Sequence, residues 1–245
     1  MTENWSFYFC QVNGALASIF VDMGLKNEVP ILSKPWLLWA WLYFRSPRPD
    51  GLSSDVEAPK LFEIEEALSQ RFTVSCDAIF SGRITTSGRR EFYFYGSAPV
   101  TFEADLADVM ARFPDYKFDK GTKKDPDWHQ YLNVLYPSPK IQQQMHNRDL
   151  IEYLKSNQDS LHKRRDVVHR AYFPSETDAR RFAAAASGFG YDLLCVKKDE
   201  LSYLVELSRL QDVKLETANE LAVQLCDIAQ QCNGEYDGWE TPLTR

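Results

Sequence analysis

The sequence predicts an α+β fold: two ferredoxin-like βαββαβ sandwiches in tandem, the first with an extra N-terminal β-hairpin, joined by a helical connector. Three observations predict it. From Val167 to the C-terminus the apolar patterning reads strand, helix, strand, strand, helix, short strand. The same order runs from about Trp36 to Lys120. A chain of 245 residues has room for two small sandwiches.

Residues 5–12 and 15–23 are apolar, β-rich runs around Asn13-Gly14, a dipeptide that closes tight hairpins. Trp36–Arg45 is apolar at alternate positions on both faces, so this strand must be covered on both sides. Pro47, Pro49 and Gly51 mark a loop. Leu61, Ile64, Leu68 and Phe72 then share one face of a helix. Strands over 75–86 and 90–97 meet across Ser87-Gly88. Phe102, Leu106, Val109, Met110 and Phe113 make the second helical face, and Tyr116–Lys120 is the sixth element. Asp125 before Pro126 reads as an N-cap with proline in the first turn, followed by a short helix ending at Pro137. Residues 140–161 are polar with a thin apolar seam, expected to be a helical connector outside either core.

In the second motif Val167–Phe173 is a strand stopped by Pro174. Ser175 and Asp178 open a helix whose inner face is Ala179, Phe182, Ala183 and Ala186. Tyr191–Lys198 and Ser202–Leu210 are strands. Thr217 and Glu220 read as a capping box for a helix buried through Ala218, Leu221, Leu225, Ile228 and Cys232. Glu235–Leu243 holds a short edge strand. The expected domains are therefore 1–137, a connector over 138–165, and 166–245.

The formal charge is −7, and both halves of the chain are mildly acidic. That balance opposes phosphate backbones and anionic membranes and suits a protein partner, so direct nucleic-acid binding and membrane association are not expected. Five scattered cysteines with no CxxC pair point to reduced thiols and a cytoplasmic location. No basic stretch leads into an apolar run at the N-terminus, so no signal peptide is expected.

Among candidate sites, Asp125, Asp127, Trp128 and His129 form the best constellation for general-base or ligand chemistry, since a carboxylate that orients an imidazole is common equipment for proton transfer. The competing reading has Asp125 capping, Pro126 starting the helix, and Trp128, Tyr131, Leu132 and Leu135 burying it against the first domain. Cys226 and Cys232 diverge on their helix, and His162 and His169 are expected to face water, so no metal and no cofactor are expected. Arg89–Gly96 (RREFYFYG) sits where RNA-recognition sheets carry stacking aromatics, but its two-sided aromatic pattern reads better as burial beneath the N-terminal hairpin. His162–Arg165 is a short basic run flanked by Asp159 and Asp166, expected to be a solvated face.

Residues 167–243, with Tyr172-Phe173-Pro174, the Ala-rich helix closing at Gly188-Phe189-Gly190-Tyr191 and the terminal NGEYDGWET, resemble the regulator of ribonuclease E activity B family. Residues 5–137, with the early hairpin, FYFYG and DPDWHQYLNVLYP, resemble a bacterial domain-of-unknown-function family often fused to it. The resemblance implies a non-enzymatic bacterial protein that inhibits RNA cleavage by contacting ribonuclease E. Arg170, Tyr172, Glu206 and Ser208 on neighbouring strands, with Trp239, are the expected partner-binding residues. The alternatives are an enzyme or small-ligand protein using the Asp125–His129 segment, or RNA binding through the first sheet. The oligomeric state stays open.

Overall fold

In the computed structural model, which describes residues 4–245, the chain divides into two units at Pro137/Ser138. In the first, β1 (Trp5–Val12) and β2 (Ala15–Asp22) form the expected hairpin, with Asn13 and Gly14 at φ of 51° and 78°. The split motif follows as β3 (Trp36–Tyr43), α1 (Ala58–Ser75), β4 (Ile79–Thr86), β5 (Arg89–Gly96), α2 (Phe102–Met110) and β6 (Phe118–Lys124). Strand order is β1-β2-β4-β5-β3-β6, every neighbouring pair antiparallel. The last four strands have the ferredoxin-like order, and the hairpin lengthens the sheet beyond β4.

The two helices cover one face. Leu61, Ile64, Leu68 and Phe72 of α1 and Phe102, Leu106 and Val109 of α2 pack on Leu38, Ala40, Phe92 and Phe94. Phe72 meets Phe94 edge-on at 5.1 Å between centroids, the geometry that ring quadrupoles favour. The helix α1 runs to Ser75, so β4 begins later than the apolar pattern implied.

The second face is covered in part by 125–137, not by the hairpin. Its short π-helical segment, Tyr131–Leu135, lies on the sheet with Trp128, Tyr131 and Leu135 fully buried. Trp128 stacks on Tyr95 at 3.8 Å and 6°. The hydroxyl of Tyr131 donates to the carbonyl of Asp22 at 2.7 Å, and that of Tyr8 to the carbonyl of Leu135 at 2.9 Å. These bonds satisfy polar tips that burial would otherwise orphan.

The second unit contains α3 (Pro139–Ser156), β7 (Arg165–Phe173), α4 (Glu176–Ser187), β8 (Asp192–Asp199), β9 (Ser202–Gln211), α5 (Leu215–Gln231) and β10 (Glu235–Glu240). Its sheet order, β10-β7-β9-β8, is again ferredoxin-like. Helices α4 and α5 bury Ala179, Phe182, Ala186, Leu221 and Leu225 against Ala171, Phe173, Val205 and Leu207. Ser175 caps α4 by accepting from the Asp178 N–H at 3.1 Å, as expected. Gly234 passes so close to Phe173 that a Cβ there would stand 2.1 Å from the ring.

Four expectations need correction. Helix α3 is not a connector outside the cores: Ile151 and Leu154 join Val167 and Val213 in a buried cluster, and Asn147 bonds Asn219 of α5 at 3.0 Å. Its polar residues satisfy neighbouring backbone, with the Gln143 amide donating to the Tyr236 and Asp237 carbonyls at 3.1 and 3.2 Å. Helix α5 begins at Leu215, so Thr217 lies within its first turn and does not cap it. His169 is 2% exposed beneath the helices, bonded to the Tyr236 hydroxyl at 2.8 Å. Arg165 of the basic run is buried, gripped by both oxygens of Asp159 at 2.7 and 2.8 Å. Among the described residues no helix is long and apolar enough to cross a membrane.

Candidate functional site

Strand alternation sorts the second sheet into two faces. On β7, Val167, His169, Ala171 and Phe173 are buried toward the helices, while Val168, Arg170 and Tyr172 point the other way and are half-buried. Register places Tyr172 opposite Leu204, Arg170 opposite Glu206 and Val168 opposite Ser208. Cys195 pairs with Glu206 from the other side. No helix of this unit covers that face, so its residues meet at an open surface.

Arg170 is its centre. Its Nε donates to Glu206 Oε1 at 2.9 Å, and its two terminal nitrogens grip Glu240 at 2.9 and 2.7 Å. Glu206 also accepts from the Cys195 thiol at 3.2 Å and lies 3.8 Å from Lys197. The Arg170 bond holds Glu206 below the usual carboxylate range, and Glu206 in return raises Arg170. Burial, and then the bond to Glu206, raise the Cys195 thiol, so it is a weakened nucleophile. The arrangement is a balanced lattice of two cations and two carboxylates, bordered by Tyr172, Leu204 and the half-exposed Leu210. It can recognise shape and charge; nothing in it is activated for bond-making.

Of the five residues expected to bind a partner, Arg170, Tyr172, Glu206 and Ser208 share this face. Trp239 does not. A bulge at Asp237 shifts the register so that Trp239 pairs with His169, facing the helices, and its indole N–H donates to Asn147 of α3 at 2.7 Å. Glu240, Cys195 and Lys197 belong to the lattice although their types alone did not single them out. The signal was their alternation in register with Arg170, visible only once the strand pairing is known. Beside Arg170 and Glu240, a small groove of about 170 Å³ runs between β10 and His146 of α3.

The Asp125–His129 constellation is divided. Asp125 is buried and spends both oxygens: Oδ2 accepts from the Tyr95 hydroxyl at 2.5 Å and the Gln130 N–H at 3.0 Å, Oδ1 from the His129 N–H at 3.1 Å. Burial raises its carboxyl, but these bonds outweigh that and hold it below its ordinary range. Asp125 does not stand at the expected N-cap position: Pro126 lies in a turn ahead of the helix and Trp128 takes a left-handed φ of 56°, so the carboxylate reaches the first N–H groups of the helix, those of His129 and Gln130, across that turn. Asp127 is exposed, and the His129 ring is 65% exposed at 3.3 Å from Asp125. The segment therefore brings a capped helix end and a buried indole, not an enclosed acid–base pair. Phe92, Tyr93, Phe94 and Tyr95 are all buried, which removes them as RNA-stacking residues. Among the described residues no group of three or more His, Cys, Asp or Glu is placed to hold a metal ion.

Residues 3–136 match the model of a family described as a family of unknown function, DUF695. The match spans more than half of the chain. The chain belongs to the DUF695 family. In this DUF695 protein residues 144–241 also match the model described as regulator of ribonuclease activity B. Both matches fall in the order the sequence motifs implied, and the second begins inside α3, the helix that packs with the second sheet. No curated protein matches the chain.

Proposed function

We propose that this protein is a non-enzymatic cytoplasmic modulator of RNA degradation that inhibits a ribonuclease of the ribonuclease E type by protein contact through the open face of the second sheet. The match of residues 144–241 to the regulator of ribonuclease activity B model carries the reading. The face supports it physically. Paired charges at its centre favour partners that can replace both members of each pair, while Tyr172 and Leu204 supply apolar area at low entropic cost. A partner that breaks only one pair strands a charge, which is how such a lattice discriminates.

The test uses the full chain as bait for purified ribonuclease E, followed by cleavage of a labelled transcript. The wild type is expected to capture the nuclease and slow cleavage. Arg170→Ala is expected to weaken capture about tenfold or more, the range of a desolvated charge at an interface centre. Absence of capture by the wild type, or undiminished capture by Arg170→Ala together with Tyr172→Ala, overturns the proposal.

A further inference from the structure

The outer face of the first sheet is roofed only in part. The segment 125–137 covers Tyr95 and the strands toward the hairpin, leaving Trp39 and Trp41 on β3 half-buried beside it. Their rings lie 4.8 Å apart, and the Arg89 guanidinium sits 4.5 Å from the Trp41 ring. Gly121 of β6 faces Trp39, and a Cβ there would stand 2.3 Å from the indole. The missing side chain is what lets the indole settle against the strand.

These rings floor a groove of about 400 Å³, within the range of small-molecule sites. Its wall is His129, Gln130 and Asn133, and Lys123 stands at its lip. Among the described residues the side-chain amides of Gln130 and Asn133 make no hydrogen bond and Lys123 makes no ion pair. The neighbouring acids are already engaged. Glu91 accepts from Arg89 and from the Tyr93 hydroxyl, both at 2.6 Å; Asp119 accepts from Tyr43 at 2.8 Å; Asp125 is spent in its cap. The groove therefore combines an aromatic floor, two amides that both donate and accept, and one uncompensated cation, in a chain that is acidic overall.

We propose that this groove binds a nucleotide, its base stacked on the Trp39 indole, its polar edge met by Gln130 and Asn133, and its phosphate by Lys123. A base suits the floor because every base presents a π-face to an indole. The free amides match base and ribose edges better than they match an aliphatic side chain. A free mononucleotide and one nucleotide of a single strand share this chemistry. The inference rests on the first unit alone and is independent of the partner contact proposed for the second.

The experiment titrates the full chain at low salt with 5′-AMP by calorimetry and with a labelled oligoadenylate by anisotropy. Binding of 5′-AMP with no gain for the oligonucleotide assigns the free nucleotide; tighter, salt-sensitive oligonucleotide binding assigns the strand. Trp39→Leu is expected to weaken binding about tenfold, and Lys123→Gln several-fold with a shallower salt dependence. Asn133→Ala, at an exposed position, keeps the test valid if Trp39→Leu loosens the sheet, and is also expected to weaken binding. No binding of either probe at millimolar concentration overturns the inference, as does binding indifferent to Trp39→Leu in a protein with native near-UV circular dichroism, or indifferent to both Lys123→Gln and Asn133→Ala.

Discussion

The two sheets share one strand order and differ in what happens on the face away from the helices. In the first, thirteen residues after β6 fold back as a roof, with Trp128 laid flat on Tyr95 and Asp125 anchored to the Tyr95 hydroxyl. In the second, the additional helix α3 packs beside α5 instead, and the outer face keeps its charged lattice in contact with solvent. A split motif leaves one sheet face bare by construction. The difference teaches that the first unit uses most of that face for stability, whereas the second leaves it available for recognition.

The largest expected effect breaks the comparison at its strongest point. Trp128→Ala empties a fully buried site and is expected to cost about 3–5 kcal/mol, whereas Tyr172→Ala on the open face is expected to cost less than about 1 kcal/mol. Urea unfolding of the full chain, followed by near-UV circular dichroism, measures both. Similar costs would show that the second face is as covered as the first.

The next effect concerns His169, buried between the second sheet and its helices. Burial pushes its imidazole down from about 6.5 to about 4. The unfolded chain therefore binds the proton more readily, and the contribution is full above pH 6.5. It is lost as pH falls from 6.5 toward 4, by roughly 3 kcal/mol if the whole shift is realised. His169→Gln is expected to flatten the stability profile of the second unit over that window. An unchanged slope would place the titration elsewhere.

Asp125→Ala tests the anchor of the roof. It removes a cap and leaves the Tyr95 hydroxyl and two backbone N–H groups without their acceptor, an expected loss of about 1–3 kcal/mol. Because the folded carboxyl lies below its ordinary range, the wild-type contribution is present above about pH 4 and fades as acid protonates it. The variant's deficit should shrink in the same interval, in urea melts repeated between neutral and acid pH.

Most elements were legible because their signals are local. Asn13-Gly14 and Ser87-Gly88 close the two hairpins of the first sheet, and the buried faces of α1, α2, α4 and α5 follow helical spacing. What escaped depends on which surface an apolar stripe meets. Trp128, Tyr131, Leu132 and Leu135 read as a buried helix face, but periodicity does not say that the surface beneath is the sheet, nor that Leu132 stays half-buried. The seam of α3 looked thin because Gln143 and Asn147 are polar, yet they are buried and bonded to backbone and to neighbouring side chains. Simple alternation along β10 puts Trp239 on the open face; the extra residue at Asp237 turns it inward. His169 was legible only as a strand residue, since its burial follows from the helices packed above it.

The smallest effect on stability is the one most informative about function. The Arg170, Glu206 and Glu240 pairs are partly exposed, with the Arg170 side chain 36% accessible, so solvent screens much of their attraction. Glu206→Gln with Glu240→Gln is expected to cost under about 1 kcal/mol in urea unfolding, while leaving Arg170 uncompensated at the centre of the open face. If that face recognises a nuclease by matched charge, the double variant folds normally and loses capture. If capture survives with stability unchanged, the lattice is surface decoration, and the contact must be sought at the exposed edge strand β8, where Leu193 and Leu194 are about half exposed. The two outcomes separate a recognition face from a merely uncovered one, which stability alone does not.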